Sequence, residues 1–227
     1  MGILLLPKFP SNVFGIYPFE LPHRTAIPAD ISRADFYQLL GHVPTDVPIR
    51  CVVFFLTRPH HHADTSLRKL LEYHSPNIVI IGGFIDKIHY DNRHDTPHKA
   101  SPVCGIVLTG DEHHFNIQQV VLPPDLNRRE DIENKLKALQ TKSTFSLGIQ
   151  VSCVARGSEF YQNQQNIECS TFRHLFPHTP LIGIFGNGEI GHDYLPQEIP
   201  LEQNQFPAKD DLFLTYSSVF SLISINR

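Results

Sequence analysis

The chain has 227 residues, 41% of them hydrophobic and 19% charged, with 19 basic against 23 acidic side chains and a formal charge of −4. That length accommodates one domain or two closely packed halves around a substantial core, and the slight acidity argues against the basic patch that nucleic-acid binders carry. No stretch reaches the ~20 apolar residues of a membrane-spanning helix, so neither nucleic acid nor membrane is an expected partner.

Met1–Pro7 is apolar but lacks a basic leader and a cleavage site, and Leu6 stands where a myristoylation signal carries Ser or Thr. A soluble cytoplasmic or nuclear protein is the expectation. Gly2–Leu6 and Val13–Glu20 read as a strand pair, and Asp30–Leu40 as a short helix with Asp30 as N-cap. Ile49–Leu56 is a continuous apolar run of the kind found in fully buried strands. Asp64–His74 follows as a helix capped by Asp64, then Ile78–Ile81 as a buried strand ending at Gly82-Gly83.

The plan then recurs. Val103–Leu108 and Phe115–Leu122 form the next predicted strand pair, and Asn127–Leu139 an amphipathic helix. Phe145–Val151 is a strand, Asn166–Phe176 a helix, and Leu181–Phe185 a buried strand. Leu212–Ile225 resembles the start of the unit again. The prediction is therefore an α/β (or α+β) fold of two pseudo-repeated ββαβαβ halves, each of about a hundred residues, with mixed sheets covered by helices. Residues 91–101 and 193–211 read as long surface connections.

Chemistry-bearing residues gather at predicted strand ends. Gly186, Gly188 and Gly191 spell G-x-G-x-x-G after an apolar strand, the outline of a dinucleotide site. Such a site needs a helix to start at the last glycine, and Pro196 and Pro200 deny one of useful length. The glycines are read instead as allowing a tight turn and close approach, with Asn187, Glu189 and His192 displayed. His60, His61 and His62 are consecutive, so regular backbone cannot aim all three at one ion, and no metal is assigned. Cys153 and Arg156 share the end of another strand. Without a base held by a third group they make no nucleophile. Cys153 is read as a packed thiol and Arg156 as held by loop carbonyls or a carboxylate, with Glu189 as the candidate. The other cysteines, Cys51, Cys104 and Cys169, show no C-x-x-C spacing, and reduced thiols are expected. No cofactor motif is present, and no catalytic residue is assigned.

The strings Gly148–Gly157, Phe172–Pro177, Pro180–Gly191 and Asp210–Ser217 together resemble the C-terminal FIST module (F-box and intracellular signal transduction) of F-box proteins. The resemblance implies residues 1–102 as the later part of a FIST N-terminal portion and 103–227 as the FIST C-terminal portion. It further implies a non-catalytic role, as the substrate-recognition module of an F-box type SCF ubiquitin ligase that binds target proteins for ubiquitination and proteasomal degradation. Transcription and chromatin regulators are among the family's targets. A Skp1–cullin partnership is implied only with an upstream F-box, which this sequence does not contain. Bacterial relatives imply the alternative, a FIST domain that senses small ligands. In either case the expected contact residues are Cys153, Arg156, Gly157, Gly186, Asn187, Gly188, Glu189, His192, His60 and His61.

Overall fold

Near-continuous apolar strands need cover on both faces, and two packed sheets with outer helices provide it. The computed structural model describes residues 14–21, 27–57, 61–74, 77–86, 102–140, 143, 145–196 and 209–226. Among them are β1 (Gly15–Leu21), α1 (Arg33–Leu39), β2 (Ile49–Leu56), α2 (His61–His74), β3 (Val79–Phe84), β4 (Val103–Thr109) and β5 (Phe115–Leu122). Then follow α3 (Arg129–Leu136), β6 (Phe145–Cys153), α4 (Ile167–Leu175), β7 (Leu181–Gly186), β8 (Glu189–Ile190), β9 (Phe213–Leu214) and β10 (Ser218–Ile225).

One sheet has the order β1-β4-β2-β3-β8-β9, the other β5-β10-β6-β7. Their facing sides interlock through Val53, Ile81, Leu108, Phe115, Leu147, Val151, Val219 and Ile223. Helices α1 and α2 cover the far side of the first sheet through Phe36, Tyr37, Leu67 and Leu70. On the second, α3 and α4 do the same through Ile132, Leu136 and Phe172. The layers therefore run helix, sheet, sheet, helix.

The mixed sheets and helical cover agree with the sequence prediction, and the internal likeness extends to topology. In each sheet, a strand from later in the chain inserts antiparallel between the first two, and the second and third lie parallel. This gives β1-β4-β2-β3 in one sheet and β5-β10-β6-β7 in the other. Adjacent strands β4 and β5 do not pair as predicted. β4 bonds to β1 and β2, β5 to β10, and the connection between them passes from one sheet to the other. The predicted partner of β1, Gly2–Leu6, lies outside the described residues.

Helix starts also differ from expectation. Ser32, not Asp30, caps α1, with its Oγ accepting from Asp35 N at 3.1 Å. Helix α2 begins at His61, so Asp64 sits inside its first turn and not at the N-cap position, and it binds Arg68 (2.9 Å). Acidic groups there still favour the positive helix end. Gly82 and Gly83 belong to β3 itself, paired with β2 and β8, instead of ending the strand.

Inside the first helix layer, Arg33 donates to Tyr37 Oη (2.9–3.0 Å), and the Tyr37 hydroxyl lies 2.8 Å from His74 Nε2. With Arg33 occupying the oxygen as acceptor, the phenol donates to a neutral imidazole. Burial, then the Arg33 charge, holds the His74 pKa at about 4, below the usual 6.5. Burial does the same to His192. Above pH 6.5 both rings are neutral folded or unfolded; below it the unfolded chain takes the protons first, so stability declines as pH falls from 6.5 toward 4. His74→Gln retains an acceptor for Tyr37 without a titrating ring. The urea midpoint of that variant should fall less across this window than that of the wild type, and an unchanged slope would contradict the assignment.

Candidate functional site

Strand β6 leaves the second sheet at Cys153 and turns over residues 154–157; β7 leaves beside it at Gly186. Val154 N donates to Gly186 O (2.8 Å), and Cys153 N to Ser217 O (2.9 Å) in the turn before β10. Three strand ends, near 153–157, 185–188 and 215–217, therefore meet at one end of the sheet.

Arg156 ties them together. Its Nε donates to Glu168 Oε1 at 2.7 Å, Nη1 to the carbonyls of Pro123 (3.1 Å) and Tyr216 (3.2 Å), and Nη2 to Leu126 O (2.9 Å) and Tyr161 Oη (2.7 Å). The guanidinium also lies 4.6 Å from the Phe160 ring centroid. Glu168, in the first turn of α4, is correspondingly saturated. Tyr161 Oη and Ser218 Oγ donate to it, as do Gln150 Nε2 (2.8 Å) and Ser152 Oγ (3.0 Å). With side chains 0% and 5% exposed, the pair is a buried, fully bonded hub, the arrangement that makes a buried ion pair tolerable. The carboxylate holding Arg156 is thus Glu168 and not Glu189, because α4 lays Glu168 directly beneath the turn.

Glu189 is itself fully buried, and its Oε2 accepts from Ser217 N (3.1 Å) and Ser217 Oγ (2.7 Å). Burial pushes its carboxyl upward, partly offset by those bonds and by the Cys153 thiol. Arg156 and Glu189 therefore brace the strand ends from within instead of facing a partner. Asn187 is exposed and donates to Asp86 Oδ1 (2.8 Å), joining this turn to the end of β3. Gly188 has φ 142°, and a Cβ on Gly186 would stand 2.6 Å from Phe84 O, so both turn positions require glycine. Among the described residues Gly191 is followed, as far as Pro196, by non-helical chain with a bridge from Tyr194 to Gln119, so no helix starts at the last glycine for a pyrophosphate.

The expected contact residues Cys153, Arg156, Gly157, Gly186, Asn187, Gly188 and Glu189 do come together here. His192 is buried further along, 6.0 Å between ring centroids from Tyr194. His61 opens α2 in the helix layer of the other sheet, and His60 lies outside the described residues. The four cysteines form no disulfide; burial raises the Cys51 thiol, and burial followed by the Glu20 charge raises Cys104 to about 11. Among the described residues no His, Cys, Asp or Glu cluster has metal-binding geometry, and no helix is long and apolar enough to cross a membrane.

What the residue-by-residue reading missed is apolar. Val154 (59%), Phe185 (58%) and Tyr216 (60%) are among the most exposed large hydrophobic side chains described, and all three rise from the joined strand ends. Tyr216 also has φ 57°, a conformation uncommon for a bulky side chain. Beside them, Gln150, Gly157, Gln164, Asn166, Cys169 and Phe185 help line a cleft of mixed polar and apolar character, about 210 Å³ in volume.

Residues 119–192, which hold most of this assembly, match the family model of the FIST C domain. Over that segment the chain is similar to the FIST C family. It is 32% identical over 155 residues to F-box only protein 22 from Homo sapiens, and equally so to F-box only protein 22 from Pongo abelii. Each match takes in 66% of this chain and 38% of the relative, so the chain spans well under half the length of the curated proteins it resembles. The FIST C match includes both members of the Arg156–Glu168 hub and the Gly186–Gly191 turn.

Proposed function

We propose that this FIST chain is a protein-recognition module: the substrate-binding part of an F-box type ubiquitin-ligase receptor, delivering captured proteins for ubiquitination and degradation. The observation that carries the reading is the exposed apolar triad Val154, Phe185 and Tyr216, held on strand ends braced by a buried ion pair. Large apolar and aromatic side chains on a rigid support are what protein interfaces use as anchors. Likeness to F-box only protein 22 supports the ligase context. Residues 103–227 are taken as the FIST C-terminal portion and 1–102 as the later part of the N-terminal one. The partners are protein substrates, with transcription and chromatin regulators the leading class. A Skp1–cullin complex joins only through an F-box in a longer product, and the cytoplasm and nucleus are the compartments where the module would act. Its role is capture without covalent chemistry, in keeping with Arg156 and Glu168 being spent on one another.

The test is quantitative affinity proteomics with the purified chain and a Val154→Asp/Tyr216→Ala variant of matched thermal stability. Each captured partner should fall by at least tenfold in the variant, as expected when anchors worth about 2 kcal/mol are lost. An unchanged partner set would refute this location.

A further inference from the structure

Strand β7 is anomalous: an uncharged Leu-Ile-Gly-Ile-Phe-Gly run, expected to be buried, that leaves Ile182 39% and Phe185 58% exposed. Among the described residues it is the last strand of its sheet. Gly148 N donates to Pro180 O and Val154 N to Gly186 O, so the even-numbered residues of β7 face β6. Leu181, Gly183 and Phe185 consequently turn their N–H and C=O groups to the open side. The register with β6 is unbroken and the strand carries no Lys, Pro or bulge, the usual devices that protect an edge.

The other sheet shows what such an edge accepts. Ile81-Gly82-Gly83-Phe84 of β3 corresponds to Ile182-Gly183-Ile184-Phe185 of β7, at an offset of 183 − 82 = 101. There the edge is filled: β8 runs antiparallel along it, pairing Gly82 with Ile190 and Gly83 with Glu189, and Phe84 N donates to Gly188 O at 2.9 Å. Clefts flank β7 on both faces. Ile182 and Ile184, with Ile16, Ile106 and Ile149, line an apolar cleft of about 190 Å³ between the sheets. Phe185 lines the other, of about 210 Å³, with Gln150, Gln164 and Asn166, and the charges of Arg156 and Glu168 that also line it are paired with each other.

We propose that the open edge of β7 takes an extended segment of a partner protein as an antiparallel fifth strand, with aliphatic side chains alternating with neutral polar ones. Side chains of a strand alternate between faces, so the aliphatic ones enter the cleft between the sheets and the polar ones the cleft beside Gln150. This rests on the reading of the chain as a protein-capture module and specifies how one class of partner is held.

The experiment pans a phage-displayed library of random linear dodecapeptides on the purified chain, then measures synthetic hits by fluorescence polarisation. The expected hits alternate aliphatic and neutral polar residues. Gly183→Pro removes an outward N–H while leaving the ladder to β6 intact. It should weaken the hits by about tenfold or more, the effect of losing a strand-to-strand hydrogen bond and its register. Should that variant melt early, N-methylation of alternate peptide amides tests the same bonds on the wild type: one set of methylated positions should abolish binding and the intervening set should spare it. Absence of enriched alternating peptides, or hits indifferent to both the proline and the methyl groups, would overturn the proposal. So would a wild-type mass twice 25.8 kDa that Gly183→Pro returns to 25.8 kDa, because a second copy would then own the edge. Hits lost with Tyr216→Ala but not with Gly183→Pro would leave the strand-end reading intact and refute edge pairing alone.

Discussion

Glu168→Ala is expected to destabilise the chain by about 3–5 kcal/mol, the cost of leaving a buried charge without its partner. The reason is local and specific. Arg156 would keep its carbonyl partners Pro123, Leu126 and Tyr216, but its positive charge would face a cavity instead of a carboxylate. Ser152, Gln150 and Tyr161 would lose their shared acceptor as well. Arg156→Ala should cost a similar amount. The two losses should be far from additive, since each single change already breaks the same network. Urea denaturation of both single variants and the double measures this; single-variant effects below 1 kcal/mol would mean the pair braces nothing. Neither side chain reaches the surface, yet both variants should capture partners less well, because the strand ends they hold carry Val154 and Tyr216.

Phe172→Ala should cost a comparable ~3–5 kcal/mol, in the range of large-to-small changes in well-packed cores. Phe172 is fully buried on α4, one turn beyond Glu168, with its ring 4.9 Å from that of Phe176 and 5.8 Å from that of Phe220. Its neighbour in β6 is Gly148, where an added Cβ would stand 2.6 Å from Phe172 Cζ. The ring thus occupies the space that the glycine leaves. Gly148→Ala alone should be destabilising through overpacking, whereas in the Phe172→Ala background it should recover part of the loss by refilling the void. Chemical denaturation of the four-member cycle reads this coupling, and simple additivity would show that the two residues do not share that space.

The apolar run at 49–56 marked a strand buried on both faces, and β2 has those bounds, as β5 has the bounds predicted at 115–122. Helices α3 and α4 were legible to within three residues of either end. Pairing was not legible, because β4 and β5 are consecutive strands a short turn apart, and nothing in either segment records that they enter different sheets. The Asp30 and Asp64 caps failed because any acidic residue near a helix start fits the pattern, while only backbone geometry selects the one that bonds. At the site, the glycine turn and Arg156 were identifiable as hydrogen-bonding features, but the carboxylate was assigned to the wrong segment. A signal for the right one did exist: Glu168 precedes Phe172 by four residues, placing a charge on the buried stripe of its helix, which demands a partner. Tyr216 gave no such signal, since its left-handed backbone is imposed by the turn between β9 and β10.

Because strands from late in the chain complete the first sheet, β3 stays uncovered for part of synthesis. Residues Glu189–Ile190 and Phe213–Leu214, which complete the flank of β3, leave the ribosome long after β3 does. Until then the nascent chain carries a bare, sticky Val-Ile-Ile-Gly-Gly-Phe ribbon, the kind of template on which neighbouring polypeptides aggregate. Translation speed and chaperone supply, more than final stability, should therefore set how much of this protein a cell accumulates.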